Sequence, residues 1–461
     1  MTGVRYRDEI LDVYVRPYAG AVGPEVILMD DNARPHRARL PRLRSPLDII
    51  IYIIAISYLL EAITNAGSRV FFGTKRLLLN RNGHERACSK IMGYLPSGGM
   101  KLEDMVLDPS RAFGTRRGGE NITEVEYQDE STEFFNFELG VLRTLCRGTP
   151  GLMRHLENRP HQASVNDVTN VITVSNKTEM EYMESLEGLT VGIVRIDYAN
   201  MYWTVIELYN AYLNTREMNR TAAETTILIL DAHPATALDG LWELLFKKVA
   251  RVGWLKKTTL LEQFVLVPEL KRVPILRKAK SIPYIDDFRY DVSDRAGGFL
   301  GRKLACDRIR ITVVLRKNYI AHPRNVRGII ERQFNNSDEL IQALKNTFPE
   351  TPVQAVALET LTIREQIQLI TETDILIGVH GAGLALTLFQ VPGTGLIELF
   401  PHKYKQHRNS HMEQLAVWGG KLYSSWYSNK KFTTSVHVPP RVLTDMVFGM
   451  GLRICEKLYY I

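Results

Sequence analysis

A chain of 461 residues is long enough for two or three domains of ordinary size with a substantial core. With 45% hydrophobic and 24% charged residues, its composition is that of a globular protein and excludes an intrinsically disordered one. The formal net charge of +7 is mild for this length, so it suits anionic ligands such as nucleotides but does not by itself indicate nucleic-acid binding.

An arginine-rich segment precedes a short apolar run near the start of the chain. Residues 34 to 44 hold five arginines, and the apolar run from Ile49 to Leu60 follows. Its 12 positions fall short of the roughly 18 to 20 that a membrane span requires. Flanking arginines are typical of a signal anchor, which would occupy residues 46–66. The alternative is a buried amphipathic helix.

The segment before this run, from Tyr6 to Leu40, resembles a fragment of a Tc1/mariner-type transposase. In that family "DDNARPHRA" carries a metal-binding aspartate, which corresponds to Asp31 here. The other parts of such a nuclease do not follow, and one carboxylate cannot build a two-metal site. We therefore expect residues 1–45 to be a fused and poorly ordered remnant, and we expect no nucleic-acid partner.

The cysteines and the glycosylation sequons do not determine the cellular compartment of the protein. The four cysteines are Cys88, Cys146, Cys306 and Cys455. They are far apart and lack metal-ligand spacing, so the sequence allows either free core thiols or one or two disulfides. The Asn-x-Ser/Thr sequons begin at Asn121, Asn176, Asn219 and Asn335. They permit a lumenal location without requiring one.

Residues 67–300 are predicted to form a first domain. Up to Gly140 the chain is rich in glycine and charge, with short strand-like pieces such as "FFNFELGVL". Further on, "LTVGIVRIDY" and "TTILILDAH" are typical of strands, while "MYWTVIELYNAYLNTR" and "LDGLWELLFKKV" are typical of amphipathic helices. The spacing of Tyr202, Ile206, Tyr209 and Leu213 predicts one buried face on the first helix.

A regular alternation begins after the linker "RAGGFLGRK" and predicts a second domain over residues 301–461. The expected strands are "RIRITVVLRK", "PVQAVALE", "DILIGVHG" and "GLIELF". The expected helices are "SDELIQALKNTF", "TIREQIQLITET", "AGLALTLFQV", "HMEQLAVWGG" and "PPRVLTDMVFGMGLRICEKL". Ser337 is a plausible N-cap of the first helix, and Thr362 with Glu365 fits a capping box in the second. Such alternation favours an α/β fold with a parallel sheet.

The sequence "ILIGVHGAGL" sets a histidine and two glycines directly after a buried strand. Ligands bind at the carboxyl ends of strands in an open parallel sheet. Gly381 and Gly383 allow a sharp turn and a close approach of the ligand, and the free N–H groups of the following helix suit a diphosphate. His380 can then hydrogen-bond a phosphate or sugar, or transfer a proton. The alternative is a glycine turn whose histidine is satisfied by backbone.

Two arginines strengthen the interpretation of this turn as a ligand-binding site. Arg316 follows the first strand of the second domain, at the same sheet edge, and Arg332 lies shortly before the next helix. Two guanidinium groups and a helix N-terminus together suit a diphosphate, although either arginine alone would be interpreted as a solvated surface charge. The Gly-x-Gly-x-x-Gly dinucleotide fingerprint is absent.

The order and spacing of these motifs resemble glycosyltransferase family 61. The resemblance is carried by "LRKNYIAHPRNVRGIIERQFNNSDEL", "REQIQLITETDILIGVHGAGL" and "GLIELFP". Upstream, "RIDYANMYWTVIELYNAYLNTR" and, more weakly, "FFGTKR" and "GGMKLEDMVLDPSRAFGTRRGGE" are most similar to the N-glycan core β-1,2-xylosyltransferase branch. The resemblance spans about residues 70 to 430.

The resemblance implies an α/β fold of GT-B type, with two Rossmann-like domains whose parallel sheets face a cleft. It implies an inverting transferase whose UDP-sugar donor binds the second domain, residues 301–461. By position, Arg316, Arg332 and the turn of His380, Gly381, Ala382 and Gly383 match the donor-side motif. Glu398 also matches and would hold the nucleotide's ribose, a buried structural acid being the alternative. Gln366 matches a family glutamine for which packing at a helix end is the alternative.

The resemblance also implies a catalytic base from the first domain. The xylosyltransferase branch has His and Asp four residues apart in this helix, where the present chain has Trp203 and Glu207. Since i and i+4 share one helix face, Glu207 is the predicted base, with His380 as the second catalytic residue. Because Trp203 replaces the imidazole of this branch, the sequence does not determine the acceptor, the transferred sugar or whether the chain is active. A solvent-facing acid is the alternative for Glu207.

The sequence analysis thus predicts a β-1,2-xylosyltransferase that moves xylose from UDP-xylose to an N-glycan of a glycoprotein in the Golgi or endoplasmic reticulum lumen, as a type II membrane protein if residues 46–66 are an anchor. No Asp-x-Asp motif occurs, so no obligatory metal is expected. The alternatives are a UDP-GlcNAc-dependent protein O-linked transferase and a sugar-binding pseudoenzyme.

Overall fold

The computed structural model describes residues 26–29, 35–38, 75–78, 92–146, 172–175, 179–267, 281–402, 409–429 and 435–459. The chain divides into two units, Met1–Phe72 and Gly73–Ile461. In the first, β1 (Val26–Met29) pairs antiparallel with β2 (Pro35–Ala38). Asp31, the rest of the predicted remnant and the predicted anchor at 46–66 lie outside the described residues.

The second unit contains the remaining described elements. Its strands are β3 (Lys75–Leu78), β4 (Met92–Tyr94), β5 (Met100–Leu107), β6 (Ala112–Phe113), β7 (Asn136–Phe137), β8 (Leu142–Leu145), β9 (Ile172–Ser175), β10 (Glu179–Tyr182), β11 (Glu184–Ile193), β12 (Thr226–Ile229), β13 (Lys248–Arg251), β14 (Thr259–Leu266), β15 (Ile311–Leu315), β16 (Val353–Ala357), β17 (Ile375–Val379), β18 (Gly395–Phe400) and β19 (Leu422–Tyr427). Its α-helices are α1 (Met201–Glu217), α2 (Asp239–Leu245), α3 (Ile285–Ala296), α4 (Ser337–Thr347), α5 (Ile363–Glu372), α6 (His411–Trp418) and α7 (Pro440–Tyr459).

The larger sheet is mixed rather than purely parallel. Its order is β13-β12-β11-β14-β5-β8-β9, with β4 also paired to β5. Strands β11 to β14 are parallel to one another, whereas β5 is antiparallel to β14, β8 and β4. The sequence analysis predicted the parallel strands β11 and β12, but it did not predict β13 or β14. The antiparallel strands come from the glycine- and charge-rich region, where no regular alternation marks them.

The smaller sheet is entirely parallel and has the order β16-β15-β17-β18-β19. In chain order this is 2-1-3-4-5, the order of a doubly wound fold that reverses direction between its first and third strands. At that switch point the connections from β15 and β17 leave towards opposite faces, which opens a crevice at their carboxyl ends. The residues that follow β15 and β17 are therefore the first place to look for a ligand site.

One hydrophobic core runs across both sheets. It contains Val191 and Ile227 from the larger sheet and Leu376 and Leu396 from the smaller one. Helix α1 lies at its centre and is buried around nearly its whole circumference, because it packs on both β11 and the 3₁₀ helix Ala382–Phe389. The predicted single buried face of α1 was therefore too narrow. The domain boundary predicted at residue 300 falls between the last strand of one sheet and the first of the other, and it stays a prediction.

The local signals at helix ends are largely confirmed. Thr362 and Glu365 form the predicted capping box of α5, and Gly419 follows the end of α6. Helix α4 has Asn336 rather than Ser337 at the N-cap position. Before β15, Cys306 forms a disulfide with Cys455 of α7, and this bond ties the start of the smaller sheet to the last helix. The paired alternative is therefore the correct one for these two cysteines.

Candidate functional site

A cavity of about 910 Å³ opens where the carboxyl ends of the two parallel strand sets meet. One wall follows β11 and the start of α1, from Asp197 to Trp203. The opposite wall follows β15, β16 and β17 and includes Arg316, Glu359 and His380. A volume of this size accommodates a ligand as large as a nucleotide sugar.

The structure brings Arg316 together with the glycine turn that follows β17. Arg316, Gly381, Ala382 and Gly383 all line the cavity at the switch point of the smaller sheet. A Cβ atom on residue 381 would overlap the guanidinium of Arg316, so glycine is needed there for close packing. The guanidinium therefore lies against the backbone of the turn, and both can address the same anion.

Arg332 completes this basic end of the cavity. Nε of Arg316 donates a hydrogen bond to the carbonyl oxygen of Glu331 at 3.0 Å, which holds the neighbouring Arg332 close to Arg316. Arg332 lines the cavity and has a backbone φ of 64°, a left-handed conformation that is uncommon for a residue with a long side chain. With Lys317, three cationic side chains line this region, which favours a polyanionic ligand.

The segment after the turn is a 3₁₀ helix, Ala382–Phe389, and not the predicted α-helix. Its first N–H groups still lack partners within the helix, as at any helix start. Gly381 occupies the N-cap position of this 3₁₀ helix and has an extended backbone with a φ of 176°. Gly383 packs closely too, since a Cβ there would lie 2.9 Å from Cδ1 of Leu358.

His380 is held by a buried carboxylate. Its Nδ1 lies 2.6 Å from Oε1 of Glu398, and Oη of Tyr423 donates to Oε2 of Glu398 at 2.7 Å. The ring of His380 stacks on Phe400 with centroids 4.8 Å apart. A carboxylate acceptor makes Nδ1 the protonated nitrogen, so Nε2 is the nitrogen that gains or loses a proton.

This arrangement does not support the predicted ribose role of Glu398. Glu398 is completely buried, does not line the cavity and is engaged by His380 and Tyr423 on both oxygens. Its position in β18, beside β17, sets it behind the histidine. The buried structural alternative therefore fits Glu398, whose contacts make it a positioning residue for His380.

Glu207, the predicted base, also lies behind the cavity wall. It is 1% exposed and does not line the cavity, and its Oε1 accepts a hydrogen bond from the backbone N–H of Ile196 at 2.6 Å. Burial raises the pKa of Glu207 to about 8. A carboxyl in this position is one layer away from an acceptor sugar, so its role as the base has no support from the geometry.

The carboxylate that does line this wall is Asp197. Strand β11 ends at Ile193, earlier than predicted, and residues 194–200 form the loop that faces the cavity. Asp197 is half-buried, and its Oδ1 accepts a hydrogen bond from the N–H of Ala199 at 3.2 Å. The sequence offered a signal that was overlooked, since an acid directly after a buried strand of a parallel sheet lies at its carboxyl edge.

Trp203 lines the same wall, so the substitution noted in the sequence lies within the site. Its ring meets Tyr202 edge to face, with centroids 5.2 Å apart, and Tyr202 stacks on His411 at 4.7 Å. Asn200 caps α1 by accepting from the N–H groups of Tyr202 and Trp203. The wall is thus an aromatic surface of the kind that packs against sugar rings or bases.

A buried polar network fixes the loop that carries Asp197. Arg195 is 2% exposed and pairs with the fully buried Asp231 at 2.7 Å and with Asp239 at 2.8 Å. Because each charge has a partner and several hydrogen bonds, the pair holds β11, β12 and α2 in one arrangement. Sequence reasoning missed this pair, because the partners are 36 residues apart.

The same wall is joined to the loop after β15. Nη1 of Arg324 lies 2.7 Å from Oε1 of Glu133, and the hydroxyl of Tyr198 donates to the same oxygen at 3.1 Å. Nε2 of His322, which lines the cavity, lies 3.2 Å from that hydroxyl. Burial, followed by the charge of Arg324, lowers the pKa of His322. These contacts anchor the Arg316–Arg332 loop across the cavity.

Three further predictions concern features around the site. Asn335 is exposed and does not line the cavity, so the conflict between its sequon and a cleft-facing position does not arise. Within the described residues there is no cluster of three or more His, Cys, Asp or Glu side chains suited to hold a metal. Among the same residues, no helix is long and apolar enough to cross a membrane.

Comparisons with known proteins cover the part of the chain that lines most of the cavity. Residues 200–397 match the family Glycosyltransferase 61. The chain is 22% identical over 361 residues to Beta-1,2-xylosyltransferase RCN11 of Oryza sativa subsp. japonica, covering 69% of this chain and 65% of that protein. It is 20% identical over 357 residues to the Beta-1,2-xylosyltransferase of Arabidopsis thaliana, covering 69% of this chain and 62% of that protein.

A shorter segment is similar to a different kind of transferase. Over 99 residues the chain is 36% identical to the EGF domain-specific O-linked N-acetylglucosamine transferase of Drosophila melanogaster, which is 21% of this chain and 17% of that protein. The chain spans less than two thirds of the length of the plant relatives. The residues matched to the family run from the start of α1 into β18, and they include Arg316, Glu359 and His380 of one cavity wall and Asn200 to Trp203 of the other.

Proposed function

We propose that the chain is a family 61 glycosyltransferase that transfers a sugar from a nucleoside-diphosphate sugar to a glycan hydroxyl with inversion at the anomeric carbon. The observation that carries the proposal is the joint placement of Arg316 and the His380–Gly383 turn at the switch point of the smaller sheet, on the wall of a cavity of about 910 Å³. In fold terms we propose the GT-B arrangement, with each parallel strand set as the centre of one Rossmann-like half.

The basic wall would hold the leaving diphosphate. In the transfer, the bond between the anomeric carbon and the β-phosphate oxygen breaks, and negative charge develops on that oxygen. Arg316, Arg332 and the N–H groups at the start of the 3₁₀ helix supply positive charge there. His380, held through Nδ1 by Glu398, lines the same cavity, and we assign its Nε2 the role of a hydrogen-bond donor to the diphosphate when the ring is protonated.

The opposite wall would accept the proton. The acceptor hydroxyl oxygen attacks the anomeric carbon from the face away from the diphosphate and gives its proton to a base. The cavity is lined by two carboxylates, Asp197 and Glu359, within the described part of the chain. Asp197 lies on the wall opposite Arg316, so we assign it the role that the sequence analysis gave to Glu207. Glu207 fixes the adjacent backbone through Ile196.

Xylose is the proposed sugar and an N-glycan on a glycoprotein the proposed acceptor, which makes the reaction a β-1,2-xylosyl transfer. The support is the long match to two plant proteins with this name. A protein O-linked N-acetylglucosaminyl transfer is the second candidate, and the 36% identity over 99 residues favours it locally. A third candidate is a protein that binds sugar without catalysing transfer. This candidate is based on Trp203, which lines the cavity where the xylosyltransferase branch has a histidine.

We propose the Golgi or endoplasmic reticulum lumen as the compartment. The Cys306–Cys455 disulfide supports it, since disulfides persist in oxidising compartments. Membrane attachment through residues 46–66 remains part of the proposal. No metal is needed for the proposed chemistry, because arginine and backbone N–H groups neutralise the diphosphate. Full activity in excess EDTA is the expected result, and a loss that Mn²⁺ or Mg²⁺ restores would contradict the metal-free mechanism.

The experiment that tests the function measures UDP release by the full chain from a secretory host. UDP-xylose, UDP-GlcNAc and other UDP-sugars are tested with a mannose-core N-glycan and with an O-linked peptide acceptor. Acceptor-dependent release with UDP-xylose and the N-glycan, abolished in His380→Ala and retained in the matched surface variant Glu372→Gln, is the expected result. UDP binding without release from any pair would identify a sugar-binding protein instead.

A further inference from the structure

The corner of the cavity after β16 contains two buried oxygen atoms that lack hydrogen-bond donors. Oε1 of Glu359 and Oε1 of Gln366 are both buried, and neither has a hydrogen-bond partner among the described residues. Both residues line the cavity. Buried acceptors are nearly always paired in native proteins, so two unpaired oxygens from residues that line one cavity call for a ligand or ordered water that donates to them.

The amide orientation of Gln366 is fixed by its neighbours. Its Nε2 donates to the carbonyl oxygens of Leu358 and Leu361 at 2.9 and 3.0 Å. Oε1 must therefore be the opposite end of the amide, and the side chain, 5% exposed, cannot reverse without losing both bonds. Gln366 presents an acceptor and not a donor at this corner.

The corner is adjacent to the diphosphate end of the cavity. Strand β16 pairs with β15 up to Leu315 and Ala357, so Arg316 and Leu358 leave the sheet side by side. A Cβ on Gly383 would lie 2.9 Å from Leu358, which shows how closely the glycine turn packs on this segment. Glu359 and Arg316 are also both close enough to Tyr319 to affect the pKa of its phenol: burial and then Glu359 raise this pKa, and Arg316 lowers it.

In the Rossmann dinucleotide-binding fold an acidic residue after the second strand, which lies beside the first strand, contacts a ribose hydroxyl. Glu359 follows β16, which lies beside β15 in the same way. A carboxylate and an amide oxygen suit a pair of hydroxyl donors, and an unesterified ribose offers two on adjacent carbons. In a nucleoside diphosphate the ribose is joined directly to the phosphates, so the two subsites should be neighbours, as they are here.

We propose that Glu359 and Gln366 form the ribose subsite of the donor nucleotide and select ribonucleotides through the 2′- and 3′-hydroxyl groups. This inference rests on the proposed use of a nucleoside-diphosphate sugar. It gives Glu359 the role that the sequence analysis expected of Glu398.

The test is calorimetric titration of the full chain with UDP, 2′-deoxy-UDP and 3′-deoxy-UDP. Wild type should bind UDP at least about tenfold more tightly than the weaker deoxy analogue, the size expected for a hydrogen bond to a charged group. In Glu359→Ala this preference should fall to about twofold or less, with UDP weakened and the deoxy analogue nearly unchanged. Glu372→Ala, an exposed acid of α5, should keep the wild-type preference.

The outcomes separate this inference from the function on which it rests. Equal binding of UDP and both analogues by wild type, or an undiminished preference in Glu359→Ala, would overturn the ribose assignment while UDP binding itself still stood. If wild type bound no nucleoside diphosphate, the proposed function would fail first and the subsite with it. Gln366→Met is a second test. This variant should unfold at the wild-type thermal midpoint, which shows that it folds, and its preference for UDP over the deoxy analogues should also be reduced.

Discussion

Two buried glutamates, Glu398 and Glu207, lie one layer behind opposite walls of the same cavity, and their surroundings differ in a useful way. Glu398 accepts hydrogen bonds on both oxygens, from the ring of His380 and the hydroxyl of Tyr423. Glu207 accepts one, from the backbone of Ile196, and its other oxygen is buried without a partner among the described residues. One carboxyl orients a side chain that reaches the cavity, while the other orients only the backbone that precedes Asp197.

This difference predicts unequal consequences for catalysis. A carboxylate that orients an imidazole affects every turnover through that ring. A carboxyl that holds a backbone N–H affects the reaction only if the loop moves. The groups that line the cavity should therefore matter most, Glu398 should follow, and Glu207 should matter mainly for folding.

The largest effect is expected at Asp197. Asp197→Asn removes the proposed base without changing the size of the side chain, so kcat should fall about 10²- to 10⁴-fold with little change in the KM for the donor. Glu207→Gln should lower kcat less than about tenfold, because Gln can still accept from Ile196. Steady-state UDP release measures both. A larger loss in Glu207→Gln than in Asp197→Asn would reverse the assignment and restore the sequence-based choice of base.

The next effect is expected at Glu398. Glu398→Gln keeps the shape but weakens the hold on Nδ1 of His380, so kcat should fall about 10- to 100-fold. Tyr423→Phe removes the other hydrogen bond of Glu398 and leaves the imidazole contact, so its effect should stay within about tenfold. If both variants had the same kcat as wild type at an unchanged melting temperature, Glu398 would be merely structural. Addition of Glu398→Gln to His380→Ala should cost little more, since both changes remove the same oriented ring.

A smaller effect is expected from the glycine turn. Gly381→Ala would push the Arg316 guanidinium away from the turn, because a Cβ would occupy the space where it lies. The guanidinium is the end of a flexible side chain, so the chain should fold and the KM for the nucleotide sugar should rise about tenfold. Arg316→Ala supplies the matched comparison. If Gly381→Ala acts only by displacing Arg316, adding it to Arg316→Ala should leave KM unchanged, and a further rise would point to a clash with the ligand itself.

The sequence predicted four of the five strands of the smaller sheet, β15 to β18, because their signals are local, and it did not predict β19. Each strand from β15 to β18 is a short apolar run, each helix has its own period, and Thr362 with Glu365 marks the start of α5. The parallel neighbours of such a sheet follow from the alternation itself. The antiparallel additions β5 and β8 were not predictable in this way, because their pairing joins residues that are distant in sequence and leaves no period behind.

The sequence predicted residues that line the cavity, but it did not show which acids are buried behind the cavity walls. Arg316 and His380 were found because residues after parallel strands meet at one edge. The burial of Glu398 and Glu207 behind the cavity walls was not predicted, because an acid's spacing on a strand or helix shows which face it occupies but not whether another residue covers that face. Glu359 was overlooked, although it follows a strand just as Arg316 does.

The smallest expected effect concerns the stability of the fold around Glu207. Burial raises the pKa of Glu207 to about 8 from an unfolded value of 4.5, so between these pH values the folded chain binds more protons than the unfolded chain. Stability should therefore fall as pH rises through this window, and the loss should continue to about pH 8. Glu207→Gln has no proton to lose at this position. The urea midpoint of this variant minus that of wild type should therefore increase from pH 5 to pH 9. Glu372→Gln, at an exposed position, should follow wild type throughout. If the urea midpoints of wild type and Glu207→Gln changed equally with pH, Glu207 would ionise normally. Glu207 would then again be a candidate for the base.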